Sequence, residues 1–142
     1  MIYGVCHGSF LAIDRMSTSK GGKGGLIINI ASMAGFIEGM RTIEEAGYAM
    51  SKSAVVSFTR SFAQKGSKGP WKRDGIKAFA LCPWFARTQL VMDAHDGDLS
   101  QLEKRMGYRV LSVSEVNTES SNKISNMFME NIIVLVIFYY II

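Results

Sequence analysis

Three polar residues, Ser32, Tyr48 and Lys52, have the types and the spacing of a proton-transfer site. Tyr48 and Lys52 are four residues apart, which places both side chains on one face of a helix. A tyrosine hydroxyl has an ordinary pKa of about 10, but a neighbouring ammonium stabilises the phenolate and lowers that pKa. Lys52 supplies such an ammonium, and the Ser32 hydroxyl can hydrogen-bond the oxygen of an alcohol or a carbonyl compound. The set predicts acid/base chemistry at that oxygen.

The elements that must position these residues alternate between helices and strands. Residues 2–18 and 47–65 carry apolar side chains at helical spacing, whereas residues 26–31 and 76–82 are short apolar runs. Such runs are typical of parallel strands that are covered on both faces. The order helix, strand, helix, strand predicts an α/β fold with a right-handed parallel sheet. Ser32 follows the first strand directly, at the edge where such sheets bind ligands.

Composition and charge argue against several other classes of protein. The chain has 142 residues, of which 48% are hydrophobic, and this is the make-up of a folded globular domain. Its net charge is +4, and the segment from Arg60 to Lys77 carries six basic residues against one acid. Because these basic residues surround a turn-rich stretch and do not lie along a recognition helix, the segment predicts a solvated loop and no nucleic-acid partner.

Cysteine and histidine usage predicts neither a disulfide framework nor a metal site. Cys6 and Cys82 lack CxxC spacing, and His7 and His95 lack the spacing of metal ligands. A reducing compartment suits two isolated cysteines. Since residues 1–4 do not begin a basic segment followed by an apolar core, we expect no secretory signal and a cytoplasmic location.

The character of the sequence changes near its carboxyl end. Residues 1–116 have the patterns of one folded domain, whereas residues 117–126 are polar and residues 132–142 are continuously apolar. Eleven apolar residues fall short of the roughly 20 that span a bilayer. We therefore expect residues 117–142 to lie outside the domain, with a weak membrane anchor as the alternative.

Three motifs in order give the chain a family resemblance. They are Leu26–Gly35 with Ser32, Tyr48–Ala54 with the YxxxK spacing, and Leu81–Pro83. In this order they resemble the catalytic half of the short-chain dehydrogenase/reductase family, over about residues 2–116. Within that family, residues 16–25, 57–61 and 82–83 look most like the NAD-dependent 15-hydroxyprostaglandin dehydrogenase group and its insect-type relatives.

The resemblance implies hydride transfer between a secondary alcohol carbon and a nicotinamide cofactor, which carries the hydride chemistry. It implies that Tyr48 is the acid/base, that Lys52 holds the nicotinamide ribose and that Ser32 positions the substrate oxygen. It further implies NAD as the cofactor, with NADP not excluded, and a set of residues that follow the second strand and line the nicotinamide end: Pro83, Ala86, Arg87 and Thr88. Glu45 stands where the prostaglandin-type enzymes carry a polar substrate contact, which implies that it faces the substrate.

The sequence also departs from the family pattern. The glycine-rich turn after a first strand and the acidic residue that selects NAD do not occur in these residues, so we expect a partial doubly wound Rossmann-type sheet without its first βαβαβ half. The spacing from Ser32 to Tyr48 is sixteen, a few residues longer than the family's usual spacing, with residues 41–45 as the predicted insertion. Trp84 stands in place of the glycine that normally follows Pro83.

Two functions remain open from the sequence. The first is an NAD(P)-dependent oxidoreductase by family, acting on a small alcohol or ketone, with this chain inactive by itself. The second is a non-catalytic interaction module that pairs with a full-length dehydrogenase subunit through its long helices, near residues 2–16 and 48–65. The same helices would serve a homo-oligomer.

Overall fold

The computed structural model describes residues 2–36, 43–62, 74–107 and 109–130. These residues form two compact units, the first within residues 2–82 and the second within residues 83–130. In chain order the helices and strands are α1 (Ile2–Met16), β1 (Gly25–Ile30), α2 (Ile43–Phe62), β2 (Ile76–Leu81), β3 (Ala86–Arg87), α3 (Gln89–Asp93), α4 (Ser100–Met106), β4 (Leu111–Ser112) and α5 (Val113–Glu130), with 3₁₀ turns at Thr18–Lys20 and Met33–Gly35.

The first unit has the predicted order of helix, strand, helix and strand. Strands β1 and β2 pair in parallel, in a register that runs from Gly25 opposite Ile76 to Ile30 opposite Leu81. Helices α1 and α2 pack against β1 and against each other. The predicted α/β fold class, a partial Rossmann-type arrangement, is confirmed.

Burial in β1 alternates with the period of a strand. Ile27 and Asn29 are buried on one face, and Ile27 joins a core cluster with Ile13 of α1 and Ile76 of β2. On the other face Ile28 is partly buried and Ile30 is 54% exposed. The prediction of a strand covered on both faces therefore does not hold for the first unit, because only one layer of helices packs against β1 within the described residues.

The boundaries of α2 differ from those expected. The helix begins at Ile43, four residues before the predicted start, and so Ile43 and Glu45 of the predicted insertion lie in its first turn. Residues 41 and 42 of that insertion lie outside the described residues, as do residues 63–73, which contain most of the predicted basic loop.

The second unit has its own small core and its own parallel strand pair. Leu99, Leu102 and Val110 form the core, and β3 pairs with β4 from Ala86 opposite Leu111. Its two short helices are α3 and α4, and Leu102 of the core lies in α4.

Helix α5 starts with a reciprocal capping arrangement. The Ser112 hydroxyl accepts a hydrogen bond from the Glu115 amide at 3.2 Å, and the Glu115 carboxylate accepts one from the Ser112 amide at 2.8 Å. The helix then runs to Glu130, so the predicted boundary after residue 116 falls inside one helix, where Ser120 is buried. The division into residues 1–116 and 117–142 stays a prediction.

The candidate anchor at residues 132–142 lies outside the described residues. Among the helices of the described ranges, none combines the length and the apolar character that a bilayer crossing requires.

Candidate active site

Lys52 is the buried cation of the site. It lies in α2, where it is only 9% exposed, and its Nζ donates a hydrogen bond to the carbonyl of Ile30 at 3.1 Å. The same ammonium lies 5.6 Å from the centroid of the Tyr48 ring, within the range of a cation–π contact. Lys52 therefore joins the end of β1 to Tyr48.

Tyr48 presents its ring on the solvent side of this pair. It lies one helical turn before Lys52 in α2 and is 46% exposed, so a substrate can reach the ring. The predicted sharing of one helical face by Tyr48 and Lys52 is confirmed by the contact between the ammonium and the ring.

Ser32 follows β1 and begins a tight turn. Its extended backbone leads into the 3₁₀ turn Met33–Gly35, and its Oγ accepts a hydrogen bond from the Ala34 amide at 3.2 Å. The turn is held against α2, because the Ser53 hydroxyl donates to the Gly35 carbonyl at 2.8 Å. Ser32 is thus carried by a turn that contacts the helix of Tyr48 and Lys52.

Gly35 allows that close approach. An added Cβ would lie 2.9 Å from the Ser53 amide nitrogen and 3.0 Å from the carbonyl carbon of Lys52. Both are backbone atoms, which cannot turn aside as a flexible side chain can. Only glycine fits here without moving the turn or the helix.

Cys82 is a neighbour of the site that no sequence pattern assigned to it. It follows β2 and is fully buried, and burial raises the pKa of its thiol to about 11 against the opposing effects of the Ser32 amide and the Lys52 charge. The two predicted parallel strands were the available signal, since parallel strands end at one edge of a sheet. The structure pairs Ile30 with Leu81, so the residues after each strand meet at that edge. The raised pKa keeps the thiol protonated and unreactive.

The residues expected at the nicotinamide end belong to the second unit. Pro83 follows Cys82, while Ala86 and Arg87 form β3, and Arg87 makes an ion pair with Glu103 at 3.4 Å. The Thr88 hydroxyl accepts a hydrogen bond from the Val91 amide at 3.4 Å at the start of α3. Their cofactor contacts stay predictions.

Two further expectations concern charge and metals. Glu45 is exposed in the first turn of α2, three residues before Tyr48. Within the described ranges, no three His, Cys, Asp or Glu side chains are grouped as metal ligands would be. His7, one of the two histidines, stacks its ring on Tyr3 with centroids 5.8 Å apart.

The model of the short chain dehydrogenase family matches residues 1–98. The chain belongs to the short-chain dehydrogenase family. The predicted family resemblance is therefore confirmed, and Ser32, Tyr48 and Lys52 all lie within the matched residues.

Several relatives are similar to part of the chain. The rat and human 15-hydroxyprostaglandin dehydrogenases [NAD(+)] (Rattus norvegicus and Homo sapiens) are 36% and 37% identical over 87 residues, which are 61% of this chain and 30% of each relative. Alcohol dehydrogenase 1 of Ceratitis cosyra is 34% identical over 63% of this chain and 32% of its own length. The chain thus matches about a third of the length of these short-chain dehydrogenases.

A likeness also exists to a crystal structure of actinorhodin polyketide ketoreductase with NADPH, at 25% identity and a TM-score of 0.46, over 69% of this chain and 39% of that one.

The first unit has donors that suit one end of a nicotinamide cofactor. An ammonium has three N–H donors, and the bond from Lys52 to Ile30 uses one, so the others suit ribose hydroxyls. The cofactor's pyrophosphate needs a glycine-rich turn from a strand into a helix. In the part of the chain that the structure describes, the glycine-rich run at residues 21–24 precedes β1 instead, and so it does not have that placement.

Proposed function

We propose that residues 1–98 carry the proton-transfer site of an oxidoreductase that interconverts a secondary alcohol and the matching ketone. One observation carries this proposal: the buried ammonium of Lys52 lies 5.6 Å from the ring centroid of the exposed Tyr48 and bonds to the end of β1 at 3.1 Å. This combination of a fixed cation and an accessible phenol is what a tyrosine general base needs. The names of the relatives support the same reaction class.

The proposed reaction gives one role to each of the three residues Tyr48, Lys52 and Ser32. In the oxidation direction, the Tyr48 phenolate accepts the hydroxyl proton of the alcohol, and in the reduction direction the Tyr48 hydroxyl returns it to the ketone oxygen. Lys52 stabilises the phenolate by its charge, and the Ser32 hydroxyl donates to the substrate oxygen. A nicotinamide cofactor supplies the hydride acceptor or donor when it is bound, and the relatives named as NAD(+) enzymes support NAD over NADP.

Glu45 bears on the choice of substrate. Its carboxylate is exposed one turn before Tyr48, so it would repel a substrate that carries its own carboxylate near the reacting oxygen. We therefore assign an uncharged alcohol or ketone as the substrate class.

A chimera tests the site in a complete enzyme. Residues 1–98 of this chain replace the corresponding segment of human 15-hydroxyprostaglandin dehydrogenase, and NADH formation from secondary alcohols is measured. We expect turnover that falls about 10²- to 10⁴-fold in the Tyr48→Phe variant, because general acid/base catalysis contributes that much. Tyr3→Phe is the matched control, since Tyr3 lies on α1 and is 77% exposed. A folded chimera in which Tyr48→Phe turns over as fast as the parent would refute the assignment.

The unfused chain is proposed to be inactive alone, because these 142 residues lack the glycine-rich nucleotide turn. We expect neither binding of NAD nor hydride transfer by the purified chain. Turnover of secondary alcohols that disappears in Tyr48→Phe would overturn this part of the proposal and leave the site assignment intact.

The second candidate function is an interaction module for a full-length dehydrogenase subunit. The outer side of α1 favours it, since Tyr3, Phe10 and Leu11 are 77%, 52% and 55% exposed. The Phe10 ring also packs edge-on against Phe58 of α2, with centroids 6.0 Å apart, so the apolar surface continues onto the second helix. Such a surface is typical of protein contacts.

Co-elution with a purified full-length homologous subunit tests the module. Leu11→Glu should abolish co-elution, whereas Gln101→Glu, an equal charge change at an exposed position of α4, should leave it unchanged. Separate elution of the unaltered chain would eliminate this function.

A further inference from the structure

A buried polar chain links both helices of the first unit to β1. Ser9 of α1 donates to Asn29 Oδ1 at 3.3 Å, and Asn29 Nδ2 donates to Thr59 Oγ1 of α2 at 3.0 Å. The Thr59 hydroxyl in turn donates to the Val55 carbonyl at 2.8 Å. Ser9, Asn29 and Thr59 are 3%, 8% and 0% exposed, so each hydrogen bond is removed from water and a missing partner is costly.

This chain of bonds contacts the same helix that carries Tyr48 and Lys52. Asn29 bonds to Thr59, and the next residue of β1, Ile30, accepts the bond from Lys52 at 3.1 Å. Lys52 and Thr59 are seven residues apart, about 10 Å along the helix axis. Adjacent residues of β1 therefore hold α2 from two positions that lie two turns apart.

The two links differ in how firmly they set the position of the helix. The Lys52 ammonium ends a flexible four-carbon stem, so a sliding helix lengthens and bends its hydrogen bond to Ile30 without breaking it. The Thr59 hydroxyl oxygen is bonded directly to Cβ and has no long stem, so its bond to Asn29 breaks when the helix slides by even a fraction of a turn. Of the two links, the Thr59 link is the one that can fix the position of α2 along β1.

We infer that Thr59 and Asn29 are positioning residues for the acid/base pair, setting the height of Tyr48 and Lys52 above the end of β1. Neither residue touches substrate, and both act through the placement of α2. The inference rests on the proposed function only for the statement that Tyr48 and Lys52 react. The geometric part concerns helix register, so it can be tested without turnover.

Nuclear magnetic resonance of the intact chain tests the register. The carbonyl ¹³C shift of Ile30 and the ¹⁵N signal of the Lys52 ammonium report their shared hydrogen bond. In Thr59→Val, which keeps the shape of the side chain and removes the hydroxyl, we expect the Ile30 carbonyl signal to move upfield and the ammonium protons of Lys52 to exchange faster. In Thr59→Ser, which restores the hydroxyl, both signals should return to their original values.

Two further variants separate positioning from stability. Val56→Ala removes buried packing from α2 without touching the polar chain, so it should destabilise the unit and leave both signals in place. Ser61, like Thr59, donates its hydroxyl to the carbonyl four residues earlier, but Ser61 is exposed. Ser61→Ala should therefore change neither the stability of the unit nor the two signals.

Unchanged signals in folded Thr59→Val would overturn the inference. If Thr59→Val does not fold, Thr59→Ser decides the matter: original signals support the inference, and displaced signals refute it, because the hydroxyl is then not the determinant. Failure of the chimera to turn over would refute the proposed function and leave these signals unaffected, so the two failures are distinguishable.

Discussion

The contact of Gly35 with α2 gives a sharp prediction for the site. In Gly35→Ala the new Cβ would lie 2.9 Å from the Ser53 amide nitrogen, 3.0 Å from the Lys52 carbonyl carbon and 3.2 Å from the Lys52 carbonyl oxygen. Ordinary contact begins at 3.4 Å, so the turn and the helix must separate by 3.4 − 2.9, or about 0.5 Å. This separation moves Ser32 relative to Tyr48 and Lys52.

The size of the effect follows from that displacement. A misplacement of about 1 Å at a catalytic centre costs about 100-fold in rate, so half of it should cost about tenfold. Crowding a packed contact should also lower the free energy of unfolding by about 1–3 kcal/mol. We expect the chimera with Gly35→Ala to lose about tenfold in kcat while it remains folded at room temperature.

Gly47→Ala is the matched control for this measurement. Gly47 lies in the same helix one residue before Tyr48, and an added Cβ there meets nothing within 4 Å. Replacing an unobstructed helical glycine by alanine should stabilise the protein by about 0.5–1 kcal/mol and leave the rate unchanged. A Gly35→Ala chimera that turns over at the parent rate would show that the spacing between turn and helix does not govern the site.

Two predictions follow from pKa shifts. Because burial raises the pKa of Cys82 to about 11, only about one molecule in a thousand carries its thiolate at pH 8, and iodoacetamide should modify the partly exposed Cys6 well before Cys82 in the folded chain. Because hydrogen bonds from Arg109 and Ser112 lower the pKa of Glu115 from 4.5 to about 2, its stabilising effect is present above pH 4.5 and is lost as the pH falls toward 2. Unfolding of the parent should therefore depend more steeply on pH over this window than unfolding of Glu115→Gln.

Each of these predictions has its own check. In denaturant Cys6 and Cys82 should react at similar rates, and equal rates in the folded chain would contradict the burial argument. Salt should weaken the Glu115 effect, since the Arg109 and Glu115 side chains are 59% and 39% exposed. Glu119→Gln serves as the control on the same helix. If the unfolding of the parent and of Glu115→Gln depended equally on pH, the assignment to Glu115 would be ruled out.

Much of the first unit follows from local sequence pattern. Apolar residues at helical spacing predicted α1 to within two residues, and short apolar runs predicted β1 and β2 to within one. The start of α2 was missed by four residues, although Thr42 and Glu45 have the T-x-x-E spacing, and Glu44 and Glu45 the acidic first turn, that indicate a helix start. Helix α5 was not predicted as a single element, because residues 117–126 are polar and resemble a solvated tail. The burial of Ser120 is visible only in the structure.

Some features of the candidate site also follow from local sequence, and others depend on the fold. The helical spacing of Tyr48 and Lys52 requires them to share a face, whatever the rest of the fold does. The burial of Lys52 and its bond to Ile30 depend on where β1 lies, which no local pattern states. No sequence pattern assigned a role to Asn29 within the apolar run of β1. The hydrogen-bond partners that make its burial possible come from residues 20 and 30 positions away.

Residue types at short and regular spacing were therefore enough to predict the family and the order of helices and strands in the first unit. They were also enough to make Tyr48, Lys52 and Ser32 the candidate site residues. No local pattern predicted that Gly35 contacts the backbone of α2 or that Thr59 and Asn29 bond across the helix–strand interface. These contacts join residues far apart in the chain, and the free energy that favours them arises only when the packed elements exclude water.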